Sequence, residues 1–327
     1  MCERRGNKMD KNAEKKLLIK IAQMYYEQDM TQSQISKELN IYRTTISRML
    51  KKVREEGIVK IAINYDILES FTVEEQLKQR FGLLDAIVVP VEEMQPEYVK
   101  LKAIGQACAR KLGRIVKDED VIGFSWGSSL ASVVDELDMI DKNDVVCVPL
   151  VGGPSGKLES KYHVNTICYN AALKFSAESL MIDAPAIVEK KSTRDDIIES
   201  QYFQEIFDLW NRISIAVFGI GSPEIKGRST WQAFYGNAVI EELERGKVVG
   251  DICSRFYDES GTHIPTSITD RIITIDLEQL KRARYRIGVA ESIEKVQGII
   301  GALKGGYMNI LVTTEETAKR ILDEINE

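Results

Sequence analysis

Residues 31–57, TQSQISKELNIYRTTISRMLKKVREEG, constrain the fold more than any other stretch of this chain. In the second half of this stretch Ile46, Met49, Leu50 and Val53 recur at the spacing of an α-helix. Residues at this spacing lie on one side of the helix, so we expect the four side chains to share a buried face.

A shorter helix is predicted to precede it. This helix starts at Gln32, with Thr31 as its N-cap, and buries Ile35 and Leu39. Asn40 follows at a position that needs a left-handed backbone, which Asn adopts more readily than most residues that carry a side chain. Two short helices joined by such a turn predict a helix-turn-helix.

The exposed face of the second helix predicts DNA binding. It carries cations and hydroxyls, and the first acid in this helix is Glu55. A solvated helix face is the alternative interpretation, but early residues of a recognition helix reach base edges and later cations meet phosphates. The predicted contacts are Arg43, Thr44, Thr45 and Arg48 to bases, and Gln32, Ser33, Ser47, Lys51 and Lys52 on the remaining interface.

The distribution of charge supports this interpretation. The 327 residues carry a net charge of −6, but residues 1–66 contain 14 Lys and Arg against 9 Asp and Glu, a net of +5. The remaining residues contain 30 against 41, a net of −11. A basic head on an acidic body confines the attraction for DNA to the head.

Composition excludes several classes of protein. The five cysteines are odd in number and widely spaced, so we expect reduced thiols in the core. With two histidines no zinc site can be assembled, and we expect neither metal nor cofactor. No apolar run is long enough for a membrane span and the N-terminus lacks the core of a signal peptide, so we expect a cytoplasmic protein.

After the helix-turn-helix the pattern changes to strands that alternate with helices. The run IVKIAIN at 58–64 predicts the wing of a winged helix, and a helix is predicted at 67–80. Alternating strands and helices predict a mostly parallel sheet covered on both faces. The predicted strands are 86–90, 120–124, 144–150, 214–219, 250–257, 271–275, 286–290 and 309–312. The predicted helices are 97–112, one through 137, 161–175, 195–210, 293–303 and one from 315.

Glycines and hydroxyls follow several predicted strands. After the strand at 120–124 comes SWGSS, where small residues let a ligand approach the backbone and a helix N-terminus favours an anion. An ordinary strand-to-helix turn is the alternative, but the pattern recurs at GGPS and GIGS. None of these turns is a dinucleotide fingerprint or a Walker loop, which disfavours NAD and ATP. The predicted effector contacts are Gly127, Ser128, Ser129, Gly152, Gly153, His163, Asn165, Gly221, Asp251 and Lys295.

Several motifs follow the head in a fixed order: GFSWGSS, VPLVGGPSG, HVNT, FGIGS, GDICSRFYD and IIGALKGGYMN. Over nearly the whole chain they resemble the SorC family of sugar-responsive transcription regulators, in particular its deoxyribonucleoside-regulator branch. The resemblance implies a winged head at 1–66 and, at 67–327, a Rossmann-like α/β effector domain similar to phosphosugar isomerases. It also implies operator DNA, a phosphorylated sugar effector and a homotetramer as partners, and a phosphate loop at 127–129. By the same resemblance His163 contacts the sugar, Asp251 supplies an acid and Lys295 a cation.

Three positions depart from the family pattern. Glu291 and Ser292 stand where relatives often have two glycines, and a carboxylate there would repel a phosphate. Val151 replaces a Lys or Arg of some relatives, so we expect no covalent capture of the effector and an effector other than deoxyribose 5-phosphate. Tyr42 replaces the usual capping Ser, which costs about 1 kcal/mol unless its ring packs elsewhere.

The sequence therefore predicts a repressor of a carbohydrate-utilisation operon, controlled by a sugar phosphate. A sugar-phosphate isomerase or deaminase with a DNA-binding appendage is the alternative, but it needs a base over the sugar carbons. Only Asp251 and His163 offer one, and a fold alone does not confer an activity. A further alternative makes the body an oligomerisation platform with an empty pocket.

Overall fold

The computed structural model describes residues 11–59, 68–92, 94–154, 158–223, 235 and 237–326. The chain divides into two compact units, Met1–Asn64 and Tyr65–Glu327, which we call the head and the body. Most of the predicted wing at 58–64 lies outside the described residues, as does the predicted domain boundary after residue 66. Both therefore stay predictions.

The head contains three described helices, α1 (Lys11–Tyr26), α2 (Gln32–Leu39) and α3 (Arg43–Glu55). Their apolar faces form its core, because residues at helical spacing meet on one side of each helix. The buried side chains are Leu18, Ile21, Ala22, Met24, Ile35, Ile46, Leu50 and Val53.

The turn of the helix-turn-helix confirms the sequence prediction. The hydroxyl of Thr31 accepts from the Gln34 backbone N–H at 3.3 Å, and the Gln34 side-chain oxygen accepts from the Thr31 N–H at 2.8 Å, which forms a capping box. Asn40 adopts φ 53° and ψ 42°, the left-handed conformation, and its N–H donates to the Ser36 carbonyl. The capping box fixes the start of α2, and the turn at Asn40 fixes its end and therefore the direction in which α3 begins.

The body is built around one parallel sheet. Its elements in chain order are α4 (Leu68–Phe81), β1 (Asp85–Val89), α5 (Glu97–Ile115), β2 (Val121–Phe124), α6 (Ser128–Asp135), β3 (Val146–Pro149), α7 (Val164–Phe175), β4 (Glu178–Ser179), α8 (Lys191–Ile198), α9 (Gln201–Asn211), β5 (Ile215–Phe218), α10 (Asn237–Arg245), β6 (Gly250–Ile252), β7 (Arg255–Tyr257), α11 (Leu277–Leu280), β8 (Tyr285–Val289), α12 (Val296–Lys304), β9 (Ile310–Thr314) and α13 (Glu315–Asn326). The strand order is β1–β9–β8–β5–β2–β3–β4. All pairs in it are parallel.

Helices cover both faces of this sheet, as the sequence predicts. Successive strand residues point to opposite faces, so Ile122 joins a core with α5, α6 and α7 while Val121 joins one with α4, α9, α12 and α13. The strands carry apolar residues on both faces because neither face meets water.

Two predicted strands are wrong. Residues 250–257 form an antiparallel hairpin of β6 and β7, which turns at Cys253 (φ 52°) and Ser254 (φ 64°). Residues 271–275 form only isolated bridges, from Ile272 to Ile187 and from Thr274 to Val151. The helix predicted at 195–210 is divided into α8 and α9, because Ser200 caps α9 by accepting from the Phe203 N–H.

The cysteines of the described residues are buried free thiols, as expected: Cys108, Cys147, Cys168 and Cys253. Burial raises the pKa of Cys147 to about 12, so this thiol stays protonated. Within the described ranges, no helix is long and apolar enough to cross a membrane.

Candidate functional site

The exposed face of α3 carries the predicted DNA contacts. Arg43, Thr44, Ser47, Arg48 and Lys51 are exposed, whereas Ile46, Leu50 and Val53 are buried on the opposite side. Ser33 of α2 is exposed as well, while Gln32, Thr45 and Lys52 are half-buried. The helix therefore presents cations and hydroxyls to solvent on a rigid apolar base, which suits the major groove of DNA.

Both lysines of α3 form ion pairs with acids of the head. Lys52 forms an ion pair with Glu14 of α1 at 2.5 Å and a longer one with Glu56 at 3.5 Å. The hydrogen bond from Lys52 to Glu14 raises the pKa of this lysine. Lys51 pairs with Glu55 at 3.6 Å. Lys52 thus ties α3 to α1 in addition to any contact with DNA.

The body contains a cavity of about 770 Å³ at the carboxyl ends of the parallel strands. Three turns line it, one after β2 (125–130), one after β5 (219–222) and one after β8 (291–295), together with the start of α5 and the β6–β7 hairpin. Ligands of open parallel sheets bind at this edge. Six predicted contacts meet there: Gly127, Ser128, Ser129, Gly221, Asp251 and Lys295.

The turn after β2 combines a glycine in an unusual conformation with the start of a helix. Gly127 has φ 125°, a conformation that favours glycine, and its N–H donates to the Tyr162 carbonyl at 3.1 Å. Helix α6 begins at Ser128, and the first N–H groups of a helix have no intrahelical acceptor. The hydroxyl of Ser125 accepts from the Gly219 N–H at 3.2 Å, which joins the ends of β2 and β5.

Asp251 reaches the cavity from the hairpin. Its backbone forms a bridge with Gly221, through Gly221 N–H to Asp251 O at 3.0 Å and Asp251 N–H to Gly221 O at 3.3 Å. Its carboxylate is buried and accepts from the Ser254 N–H at 2.9 Å. The left-handed turn at Cys253 and Ser254 therefore holds this acid in place.

The turn after β8 brings a buried acid next to a lysine. Glu291 is 6% exposed and Lys295 is half-buried, and both line the cavity. Burial raises the pKa of Glu291, an effect that the charge of Lys295 opposes. Burial lowers the pKa of Lys295, an effect that the charge of Glu291 opposes.

Four predicted effector contacts are not among the residues that line the cavity. Gly152 and Gly153 are covered by residues 184–186, because Gly153 N–H donates to the Ala184 carbonyl at 2.8 Å and Gly152 N–H to Ile273. Side-chain atoms on either glycine would lie 2.8 Å from a neighbour, which for Gly153 is the ring of His163. Asn165 donates to the Ile182 carbonyl at 3.2 Å and accepts from its N–H at 3.0 Å. These contacts give all four residues a structural role, and their part in effector binding stays a prediction.

Other lining residues were not predicted from the sequence. Glu97 and Lys100 come from the start of α5, and Lys100 forms an ion pair with Glu316 at 2.8 Å. Trp126, Leu158 and Tyr162 add apolar surface near the turn after β2. Glu97 and Lys100 could have been predicted, because ligands bind at the carboxyl ends of parallel strands and α5 follows the carboxyl end of β1 at the same edge of the sheet.

Both units match known protein families. Residues 65–323 match the Sugar-bind family of sugar-binding domains, and residues 21–60 match a winged helix-turn-helix DNA-binding family. The observed fold and the family matches thus agree that the head is a DNA-binding helix-turn-helix unit and the body a sugar-binding domain.

Relatives match over nearly the full length. The chain is 48% identical over 315 residues to the sorbitol operon regulator of Klebsiella pneumoniae, covering 96% of this chain and 100% of that protein. It is 29% identical over 310 residues to the deoxyribonucleoside regulator of Bacillus subtilis (strain 168), covering 94% and 98%. Of these two the sorbitol operon regulator is the more similar, although the motifs resemble the branch of the second.

A solved structure has the same fold. The crystal structure of the full-length sorbitol operon regulator SorC from Klebsiella pneumoniae matches with a TM-score of 0.84 and 49% identity. The match covers 94% of this chain and 98% of that chain.

Proposed function

The chain belongs to the SorC family of sugar-binding transcriptional regulators, and we propose that it represses a carbohydrate-utilisation operon until a phosphorylated sugar binds its body. It is a DNA-binding regulator with a sugar-binding domain, and relatives over its full length are named as regulators. The phosphorylation of the effector, the sign of regulation, a tetrameric assembly and a cytoplasmic location belong to the proposal.

The cavity at the strand ends carries the proposal for the effector. The turn after β2 offers the N–H groups at the start of α6 and the hydroxyls of Ser128 and Ser129, with no acid among residues 125–130. Free N–H groups at a helix start together with hydroxyls suit a phosphate. The sugar then extends from this turn towards Asp251 and Lys295, whose side chains hydrogen-bond to hydroxyls.

The relative named for a sorbitol operon suggests the class of sugar. We expect a six-carbon chain, such as a hexitol or ketose phosphate, as effector. Val151 supports the exclusion of a covalent mechanism, because it is fully buried and no lysine stands at this position.

The proposed mechanism couples the cavity to the spacing of the heads. The heads of a dimer must match DNA half-sites about one helical turn apart, or a multiple of it. An effector that binds two arrangements of the body with different affinity shifts the population towards one of them. In our proposal the sugar phosphate favours the arrangement whose heads do not match the operator.

A thermal-shift panel on the full chain tests the effector class. Sorbitol 6-phosphate and fructose 6-phosphate should raise the unfolding midpoint, because a ligand that binds only the folded state stabilises it by mass action. Deoxyribose 5-phosphate, the free sugars and inorganic phosphate serve as comparisons. If no sugar phosphate raises the unfolding midpoint, the result contradicts a phosphosugar sensor and favours a body that serves only as an oligomerisation platform.

A variant of the turn after β2 makes the test specific to the site. Ser128→Asp places a carboxylate at the proposed phosphate position and should abolish the shift. Ser192→Asp makes the same change in the first turn of α8, outside the cavity lining, and should leave the shift intact. Equal shifts in the two variants would place the phosphate elsewhere.

A further inference from the structure

The cavity has two chemically different ends, and the order of the strands separates them. Strand β5 lies between β2 and β8, and both pairings are parallel. Neighbouring strands are about 4.8 Å apart, so the turns after β2 and β8 are separated by about 10 Å. This distance is comparable to the length of an extended six-carbon sugar phosphate.

Acids dominate the end near β8. Glu97, Asp251, Glu291 and Glu294 line this part of the cavity, against the cations Lys100 and Lys295. Lys100 is already paired with Glu316 at 2.8 Å. The one acid of the lining near the β2 end, Glu159, is exposed and paired with Lys161 at 2.8 Å. The two ends therefore differ in electrostatic character as well as in position.

Glu291 faces the cavity without a fixed partner. It is 94% buried, and its carboxylate makes no hydrogen bond and no ion pair within 4 Å to a side chain or backbone group of the described ranges. Lys295 lies close enough for its charge to act on Glu291 but likewise makes no such bond. The carboxylate oxygens of Glu291 open to the cavity, where a largely buried carboxylate costs free energy unless water or a ligand donates to it. The hydroxyls of a sugar are donors of the required kind.

We infer that Glu291 makes the body selective for sugar monophosphates with an uncharged far end, and against sugar bisphosphates and sugar acids. This inference rests on the proposed function, since it takes the phosphate to lie at the turn after β2. The hydroxyls at the other end of the sugar donate to Glu291 and Asp251, while Lys295 donates to a hydroxyl oxygen. A second phosphate or a carboxylate at that end would face four acids and one unpaired lysine.

The selectivity follows from repulsion as well as attraction. Like charges that meet in a site screened from water repel more strongly than in bulk solvent. Specificity gained by repelling the wrong ligand is a difference between two affinities and leaves the affinity for the right ligand intact. Glu291 and Asp251 are buried, at 6% and 7% exposed, whereas Glu97 and Glu294 are exposed, so the repulsion from the first two is less weakened by solvent.

Titration calorimetry on the full chain tests this inference. The ligands are sorbitol 6-phosphate, fructose 6-phosphate, fructose 1,6-bisphosphate and 6-phosphogluconate. We expect the unmodified protein to bind a monophosphate with an uncharged end at least about tenfold more tightly than the bisphosphate or the sugar acid. Glu291→Gln keeps the shape of the side chain and should narrow that ratio by about tenfold.

The control variant is Glu159→Gln, which removes the same charge from the lining near the other end of the cavity. It should change the affinities for all phosphates in parallel and leave their ratio unaltered. Glu291→Gly, which removes the whole side chain, gives a second measurement if the Gln variant folds poorly.

The outcomes separate the inference from the proposed function. Equal affinities for mono- and bisphosphate, or a ratio that Glu291→Gln does not move, would overturn the inference while the phosphosugar sensor stands. If none of the four ligands binds, the proposed phosphosugar effector fails and the inference fails with it.

Discussion

Tyr42, at the N-cap position of α3, shows how a single residue can depart from the pattern around it. Its backbone has φ −58° and ψ 137°, values suitable for an N-cap, but its side chain makes no capping bond. The ring is 85% exposed, so packing in the head does not offset the missing cap. The start of the recognition helix is therefore less stable than a serine would make it.

Replacing this tyrosine should stabilise the head. Tyr42→Ser supplies a hydroxyl that accepts from an N–H in the first turn of α3, and should raise the free energy of unfolding of the head by about 1 kcal/mol. Tyr42→Ala removes the ring without adding an acceptor and serves as the comparison. Urea unfolding followed by circular dichroism measures both, and equal stability of the two variants would contradict the argument.

Site residues were predictable where the neighbouring sequence alone defines their position, and not where a contact distant in sequence decides it. Gly127, Ser128 and Ser129 were found because a strand, a small-residue turn and a helix start are consecutive in the sequence. Gly152 and Gly153 show the same local pattern, but residues 184–186 cover them. That contact joins segments about thirty residues apart, and no feature of the turn itself reveals it. Glu291 was visible only as a departure from relatives.

At the scale of elements, the packing of α5 on α6 supports the cavity. Gly105 of α5 lies against Ser132 of α6, and a Cβ atom at Gly105 would meet the Ser132 carbonyl atoms at 2.8 Å and its hydroxyl at 2.5 Å. The Ser132 hydroxyl donates to the Leu101 carbonyl at 2.9 Å, which holds the two helices together. Since α6 begins with Ser128, its position sets that of the proposed phosphate site.

Gly105→Ala should therefore destabilise the body and weaken effector binding. Overpacking of this kind costs about 1–3 kcal/mol, and any relief moves α6 away from α5. Gly113→Ala is the matched control on the same helix, because its Cβ would meet only the end of the Ile140 side chain, at 3.1 Å. Thermal midpoints with and without sugar phosphate measure both effects. A Gly105 variant as stable as the Gly113 variant would disprove the close contact.

Elements were predictable where one pattern ran without interruption. Six of the seven strands of the sheet are largely apolar runs, and the sequence located them to within a few residues, whereas the two-residue strand β4 was not predicted. The hairpin of β6 and β7 was taken for one strand because its turn is formed by Cys253 and Ser254 in left-handed conformations. Left-handed backbone is typical of Gly, Asn and Asp rather than of Cys or Ser, so the pattern of residues 250–257 reads as one continuous strand.

At the scale of the whole molecule, the division of charge separates two tasks. Residues 1–66 carry a net of +5 and the remainder a net of −11. Nonspecific attraction to phosphates is thereby limited to the head, and it should weaken as salt rises. The net negative charge of the body opposes nonspecific contact between the body and DNA.

Arg48→Ala should weaken operator binding without affecting the sensor. If Arg48 contacts a base edge, its loss costs about 1–3 kcal/mol of affinity for the operator. The shift of the unfolding midpoint caused by a sugar phosphate should stay unchanged. Arg245→Ala removes the same charge from an exposed site on the body and should leave operator affinity intact. Fluorescence anisotropy with labelled operator measures the first effect, and loss of the sugar response in Arg48→Ala would contradict two separate modules.

The pairing of β1 with β9 joins the first strand of the body to its last strand. Asp85 lies opposite Ile310, so the first strand of the body cannot pair with its neighbour until residues 310–314 have been synthesised and have left the ribosome. β8, whose turn supplies Glu291, also waits for β9 as one of its two neighbours. The helices of the head lie within residues 11–55 and can form much earlier, because domains fold as they emerge. The helices of the DNA-binding head can therefore form before the sheet of the sugar-binding body is complete.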